Sequence, residues 1–325
     1  SSAASDVYKR QLQIVGGFCI LNALIPICSS YLRAFGFSKE PLYASIIGNV
    51  INFCLNAFFL FVLHKGVAGV ATATVISRII NLVIVVLLGA VLVKAKQHPE
   101  RESNRAVMGQ IIRIGLPSAC ETAIYNVSMT LVIRFLNQMD AQGLNVTARS
   151  YTMQITNFSY CVGAALAQAN AIMTGWHIGA KEYDACDRGT KKAAVIGVIV
   201  AVILETVFTL CSGWIMQLFS KDPQMVSLVG KLLAIDIVLE IGRVTNLVYG
   251  QALKTSGDAV FPVVMGACFM ILCSVGGTYL FGIRLGLLAV GAYIGMTGDE
   301  CVRAVGMYLR WKSGKWKEKG LVKSR

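Results

Sequence analysis

The sequence has little of what a water-facing surface or a chemical centre is made from. Only 14% of its 325 residues are charged, against roughly 25% in a soluble domain, so too little charge is present to coat a soluble fold of this size. Histidine occurs three times, at His64, His98 and His177, in or near loops. The ten cysteines include no Cys-x-x-Cys and no Cys/His cluster, which removes the usual metal-site and disulfide signatures. They read as small packing residues. No acids, histidines or metal-ligand spacings gather at one interface, so a membrane-embedded transferase is the weaker alternative. Asn145-Val146-Thr147 matches a glycosylation acceptor and is read as a chance tripeptide.

Apolar residues are abundant instead, 55% of the chain with a mean hydropathy of +0.63. Runs of the bilayer-spanning length, about 20 residues, fall near 12–32, 42–63, 67–93, 112–138, 149–175, 190–219, 226–249, 259–283 and 286–309. These nine spans predict an all-α polytopic membrane protein. One set of connections carries Arg33, Lys39, Lys94, Lys96, Arg101, Arg105, Lys181, Arg188, Lys191, Lys192 and Lys254, while the opposite set offers Lys65, Lys221 and Arg284. By the positive-inside rule the first set and the basic tail, 310–325, are cytoplasmic. The net charge of +13 is therefore orientation charge, and no nucleic-acid partner is expected.

A pattern occurs twice. Leu32, Arg33, Gly36 and Pro41 return as Leu253, Lys254, Gly257 and Pro262, each followed by a second glycine punctuation at Lys65–Gly69 and Leu285–Gly291. Internal repeats of this kind build secondary transporters. The three spans of 12–93 match the last three, leaving 112–219 without a counterpart. The expectation is two pseudo-symmetric six-helix bundles, with the first three helices of the N-terminal lobe missing. Domains follow: 1–11 as a cloning or adaptor scar, 12–93 as a partial N-lobe, 94–111 as a cytoplasmic linker and 112–309 as the C-lobe. The linker reads equally as a tether between rocking lobes and as a solvated connector.

Ionisable residues inside spans are the sharpest functional signal, since each costs at least about 2.5–3.5 kcal/mol at bilayer depth. Asp236, Glu240 and Arg243 share one helical face, where Glu240 with Arg243 fits a structural ion pair as well as a working site. Glu121 lies one turn after Pro117. It suits a cation or proton that comes and goes, or a neutral acid bonded across helices. Asp299, Glu300 and Arg303 form a local cluster read as structural. Asn49, Asn52, Asn126, Gln154 and Asn157 are candidates to line a cavity, although such amides also glue helices together. Tyr125, Tyr151, Phe158 and Tyr160 offer faces to a cationic ligand or ordinary packing.

These residues carry a resemblance. Gly250–Pro262 resembles the G-x-L-R-x-x-G-D-x-x-x-P loop of the multidrug and toxic compound extrusion (MATE) family. Ile114–Ser118 and Ile178–Lys181 agree, and the likeness covers 12–325 as family helices four to twelve. It implies a two-lobe antiporter of the bacterial inner membrane, monomeric and without a cofactor, that exports amphipathic, often cationic compounds in exchange for H+ or Na+ by alternating access. The buried acids Glu121, Asp236 and Glu240 are the expected coupling-ion or proton residues. The correspondence is partial: one subgroup's seventh-helix Glu sits a turn deeper than Glu121, and its tenth-helix Asp aligns with Arg243. A lipid-linked precursor flippase of the same superfamily is the other transporter reading.

Overall fold

In the computed structural model the described residues are 13, 15–94, 104–140 and 143–319; the segment 1–11, most of the linker and the end of the basic tail lie outside them. They are mostly helical; eight of the nine predicted spans coincide with long helices, and the first, 12–32, overlaps the 15-residue helix Ile20–Ala34. The chain divides into two compact units, Ser1–Arg101 and Glu102–Arg325.

The first unit holds α1 (Ile20–Ala34), α2 (Lys39–Ala57, continued by a π-helical turn Phe58–Val62) and α3 (Gly66–Lys94). In the second are α4 (Asn104–Met139), α5 (Leu144–Gly179), α6 (Tyr183–Leu210), the short α7 (Ser212–Met216), α8 (Pro223–Thr255), α9 (Val260–Phe269, continued by π-helical turns to Arg284) and α10 (Leu288–Lys312). The linker reading needs one correction. The helix α4 begins at Asn104, because the amphipathic residues before Gly115 continue it beyond the apolar stretch, and Pro117 sits in its interior rather than at its start.

The sequence repeat is a structural repeat down to single hydrogen bonds. At the end of α1, Gly36 adopts φ 88° and Phe37 N–H bonds Leu32 O at 3.0 Å; at the end of α8, Gly257 adopts φ 93° and Asp258 N–H bonds Leu253 O at 2.9 Å. A left-handed glycine closing this bond is what stops a helix while satisfying its last carbonyls. Pro41 and Pro262 then occupy the first turns of α2 and α9, where a missing N–H is harmless. The π turns correspond too, Leu63 N–H to Phe58 O at 3.1 Å and Leu285 N–H to Leu280 O at 2.9 Å. Two positions trade glycine for a side chain on left-handed backbone, which a side chain disfavours: Gly66, at φ 54°, is matched by Leu288 at φ 51°, and His64, at φ 47°, by Gly286 at φ 68°.

Large apolar side chains cover the outside, among them Phe53, Phe61, Leu210 and Leu218, an exposure that water would not tolerate and lipid does. Four helical segments are long and apolar enough to cross a membrane on their own composition: Lys39–Val62, Gly66–Val93, Tyr183–Leu210 and Val260–Arg284. The more polar long helices α4, α5, α8 and α10 belong to the second unit. Its core has two apolar clusters. The α8 residues Leu232, Leu233 and Leu239 enter one, and Val244, Val248 and Leu253 the other. Asp236, Glu240 and Arg243 fall where one gives way to the other. Lipid supplies no hydrophobic drive between helices, so close backbone approach and polar contacts hold them. Several cysteines, Cys54, Cys120 and Cys268 among them, lie on the outer surface rather than in packing positions.

The tail is built in. Trp316 stacks on Trp311 at 4.1 Å and donates to its backbone carbonyl, while Trp311 donates to Asp187 at 2.9 Å. Asp258, in the turn after α8, accepts from Arg310 and Lys319, both at 2.7 Å. Burial alone would raise the Asp258 pKa, but these two cations outweigh it and hold the carboxyl below its usual range. Part of the basic tail is thus a clamp on the turn after α8. Asn145 is buried, donates to Asp140 and accepts from Ala289 N–H, so this amide is occupied as a link between α5 and α10.

Candidate functional site

α8 is the spine of the site. Asp222 caps it by accepting from Gln224 N–H at 3.0 Å, and Pro223 supplies its first position. Two backbone approaches then set the register. A Cβ on Gly242 would lie 2.8 Å from Cys301 N, so α8 and α10 touch at their backbones and Arg243 lies beside Glu300. Val244 fits against Gly163 of α5 and Gly197 of α6, where a Cβ would come within 2.8 Å of its methyls.

The charges form a chain across α8 and α10. Arg243 is bonded to Glu240 and stands 3.8 Å from Glu300. Arg303 bonds both oxygens of Asp299, at 2.8 and 2.9 Å, and reaches Glu300 at 3.0 Å. Asn246 donates to the other Glu300 oxygen, and Ser274 to Asp299. Such geometry offsets the desolvation of each ion. The Asp299–Arg303 pair is the structural contact that the spacing predicts, while Glu300 also joins Arg243.

Asp236 and Glu240 have a neighbour that the sequence reading overlooked, Glu205 of α6. One oxygen from each of the three carboxylates lies within 4.8 Å of the others, and all three residues are buried. Among the described residues, both Glu205 oxygens, Asp236 Oδ2 and Glu240 Oε2 have no hydrogen-bond partner, nor does the buried Ser159 hydroxyl of α5. Three ionised carboxylates facing one arginine cannot persist so deep without a counter-ion or protons. Glu205 was legible as a lone acid in the apolar run Ala193–Leu210.

A cavity of about 440 Å³ opens beside this cluster, walled by α4, α5, α8, α9 and α10. Asp236, Arg243, Glu300 and Arg303 line it. So does Glu121, which is not part of the triad: it accepts from Lys254 at 2.5 Å. Of the proposed lining amides, Asn157 faces the cavity. Asn126 instead donates to Thr122 O on its own helix at 2.9 Å, and Gln154 and Asn49 are exposed elsewhere. Asn52 donates to Ser77 at 3.1 Å, tying α2 to α3. Tyr125 and Tyr160 line the cavity, whereas Tyr151 and Phe158 pack on Phe219 and Phe208.

Known proteins share this architecture. The MatE family profile matches residues 117–280. The chain is 34% identical over 328 residues to the uncharacterised transporter YisQ of Bacillus subtilis, covering 99% of this chain and 72% of that protein. It is 22% identical to a probable multidrug resistance protein NorM of Thermotoga maritima, covering 99% and 69%. Among solved structures, a MATE in complex with MaD3S superposes with a TM-score of 0.85 at 18% identity, over 98% of this chain and 72% of that one. With eight helices of lipid-spanning length among the described residues, charge buried in its interior and this kinship, the chain is a multi-pass membrane protein that belongs to the MATE family of transporters.

Proposed function

We propose that the chain acts as a secondary active efflux transporter of a bacterial cytoplasmic membrane, with its C-terminus in the cytoplasm. It exchanges amphipathic small molecules for H+ or Na+ by alternating access. The observation that carries this reading is the carboxylate triad Glu205, Asp236 and Glu240, with Asp236 shared between the triad and the cavity. A proton or cation entering the triad cancels a buried charge beside the cargo space, so occupancy by the ion and by the cargo are linked through the electrostatics of Asp236 and Arg243. Discharge of the ion on the other side resets the pair. Glu121 contributes from the cavity wall, its charge held by Lys254.

The test is dye efflux from proteoliposomes driven separately by an imposed proton and an imposed sodium gradient. One gradient drives wild-type efflux, and Glu205→Gln and Glu240→Gln lower the driven rate roughly tenfold or more while leaving binding of the dye measurable. Full gradient-driven efflux in both variants sinks the proposal. Lipid translocation without dye efflux in the same vesicles supports the flippase instead.

A further inference from the structure

Four cationic side chains line the cavity, and three of them are matched. Lys254 is bonded to Glu121, Arg243 to Glu240, and Arg303 to Asp299 and Glu300. The fourth, Arg149, has no carboxylate partner among the described residues. It lies in the second turn of α5 and is 94% buried by its 6% exposure. Its Nε has no hydrogen-bond partner, and the contact given to Nη2 is the Met129 sulfur at 3.7 Å, a weak acceptor. Asp236 lines the same cavity, is equally buried and makes no ion pair among the described residues, and its Oδ2 has no partner. The two do not pair with each other.

A guanidinium so deeply buried with no carboxylate beside it has no protein group to offset its desolvation, which is costly for a purely structural element. Arginine's planar fork is also the side chain best shaped to grip a carboxylate or phosphate. We infer that Arg149 is the anion-binding anchor of the cargo space, and that the cargo is a zwitterionic amphiphile whose acidic group docks on Arg149 while its cationic part faces Asp236 and Tyr125. This deepens the efflux proposal by naming the cargo class and rests on it for the transport role alone; the binding itself needs no gradient.

The experiment is a fluorescence-polarisation titration of the purified full chain in lipid nanodiscs with two matched dyes, rhodamine 110, which carries a free carboxylate, and rhodamine 123, its methyl ester. The expected result is binding of the acid about tenfold tighter than the ester, the worth of one charge-assisted contact. Arg149→Gln abolishes the preference and Arg149→Lys keeps part of it. Equal or tighter binding of the ester by the wild-type chain, or no binding of either dye, overturns the proposal without any variant being needed. So does a preference that survives in Arg149→Gln. Failed gradient-driven efflux alongside an intact acid preference would sink the transport reading and leave the anchor standing.

Discussion

At equivalent places in the two repeats, the helices are tied by matching bonds made from different chemistry. In the first unit Asn52 donates to Ser77; in the second the corresponding Ser274 donates to Asp299. Arg78 of α3 reaches Asn22 of α1, and in the same positions Glu300 of α10 approaches Arg243 of α8. Asn81 in the one becomes Arg303 in the other. The backbone frame, with its left-handed glycines and π turns, is the same in both. What differs is that the second unit places acid–base pairs at positions where the first, Arg78 apart, has amides and hydroxyls. Helix packing does not demand such ion pairs, since the first unit holds the same register without a carboxylate at these positions, so the acids of the second unit are there for something besides packing.

The comparison is broken most severely by removing a cation from the charged copy. Arg303→Met leaves Asp299 and Glu300 buried without their main partner and lowers stability by about 3–5 kcal/mol. Asn81→Ala at the matching neutral position changes it by about 1 kcal/mol or less. Thermal unfolding of both variants in the same detergent checks the contrast, and similar losses would mean the ions carry no special weight.

A smaller effect is expected at Asp258, whose counterpart in the first unit is the apolar Phe37. Asp258→Asn removes the charge that holds Arg310 and Lys319 and costs about 2–3 kcal/mol, read as faster proteolysis of the tail. Because the folded pKa of Asp258 is depressed, its contribution is fully present above the unfolded value of about 3.9 and is lost as pH falls through the lower folded value. Tail protection is therefore flat from neutral pH down to the carboxylate range and weakens below it. A loss near pH 6 would point to a different group.

The smallest change sharpens the likeness. Leu288→Gly restores the residue type that the first unit has at Gly66 and relieves a left-handed leucine, raising stability by about 0.5–1 kcal/mol. Unchanged or lower stability in chemical denaturation would show that the leucine's packing outweighs its backbone strain.

The helices and the repeat were legible in the sequence because lipid imposes length and apolarity directly, and because turn glycines mark the backbone where it must go left-handed. The face shared by Asp236, Glu240 and Arg243 was legible from helical period alone. Glu205 was legible only as a lone acid in an apolar run, and not as a member of that face, since its partners lie on another helix. Arg149 escaped for the opposite reason: near the start of a span it looks like a residue that reaches out to the membrane surface, and only the fold turns it inward. Asn126 and Gln154 show that polarity within a span does not fix direction. Pro117 misled the helix start because a proline is tolerated well inside a long helix when neighbouring groups supply what it lacks.

The arrangement of charge along α8 also constrains how the protein is made. Asp236, Glu240 and Arg243 stand on a single span, and on insertion scales each is worth about 2.5–3.5 kcal/mol against leaving the translocon for lipid. Bonding between Glu240 and Arg243 is available at once, within the helix. Glu300 is encoded two spans later, so while the ribosome is still translating α9, Arg243 lacks its second carboxylate. The charge pairing of α8 is therefore complete only once α10 has been made.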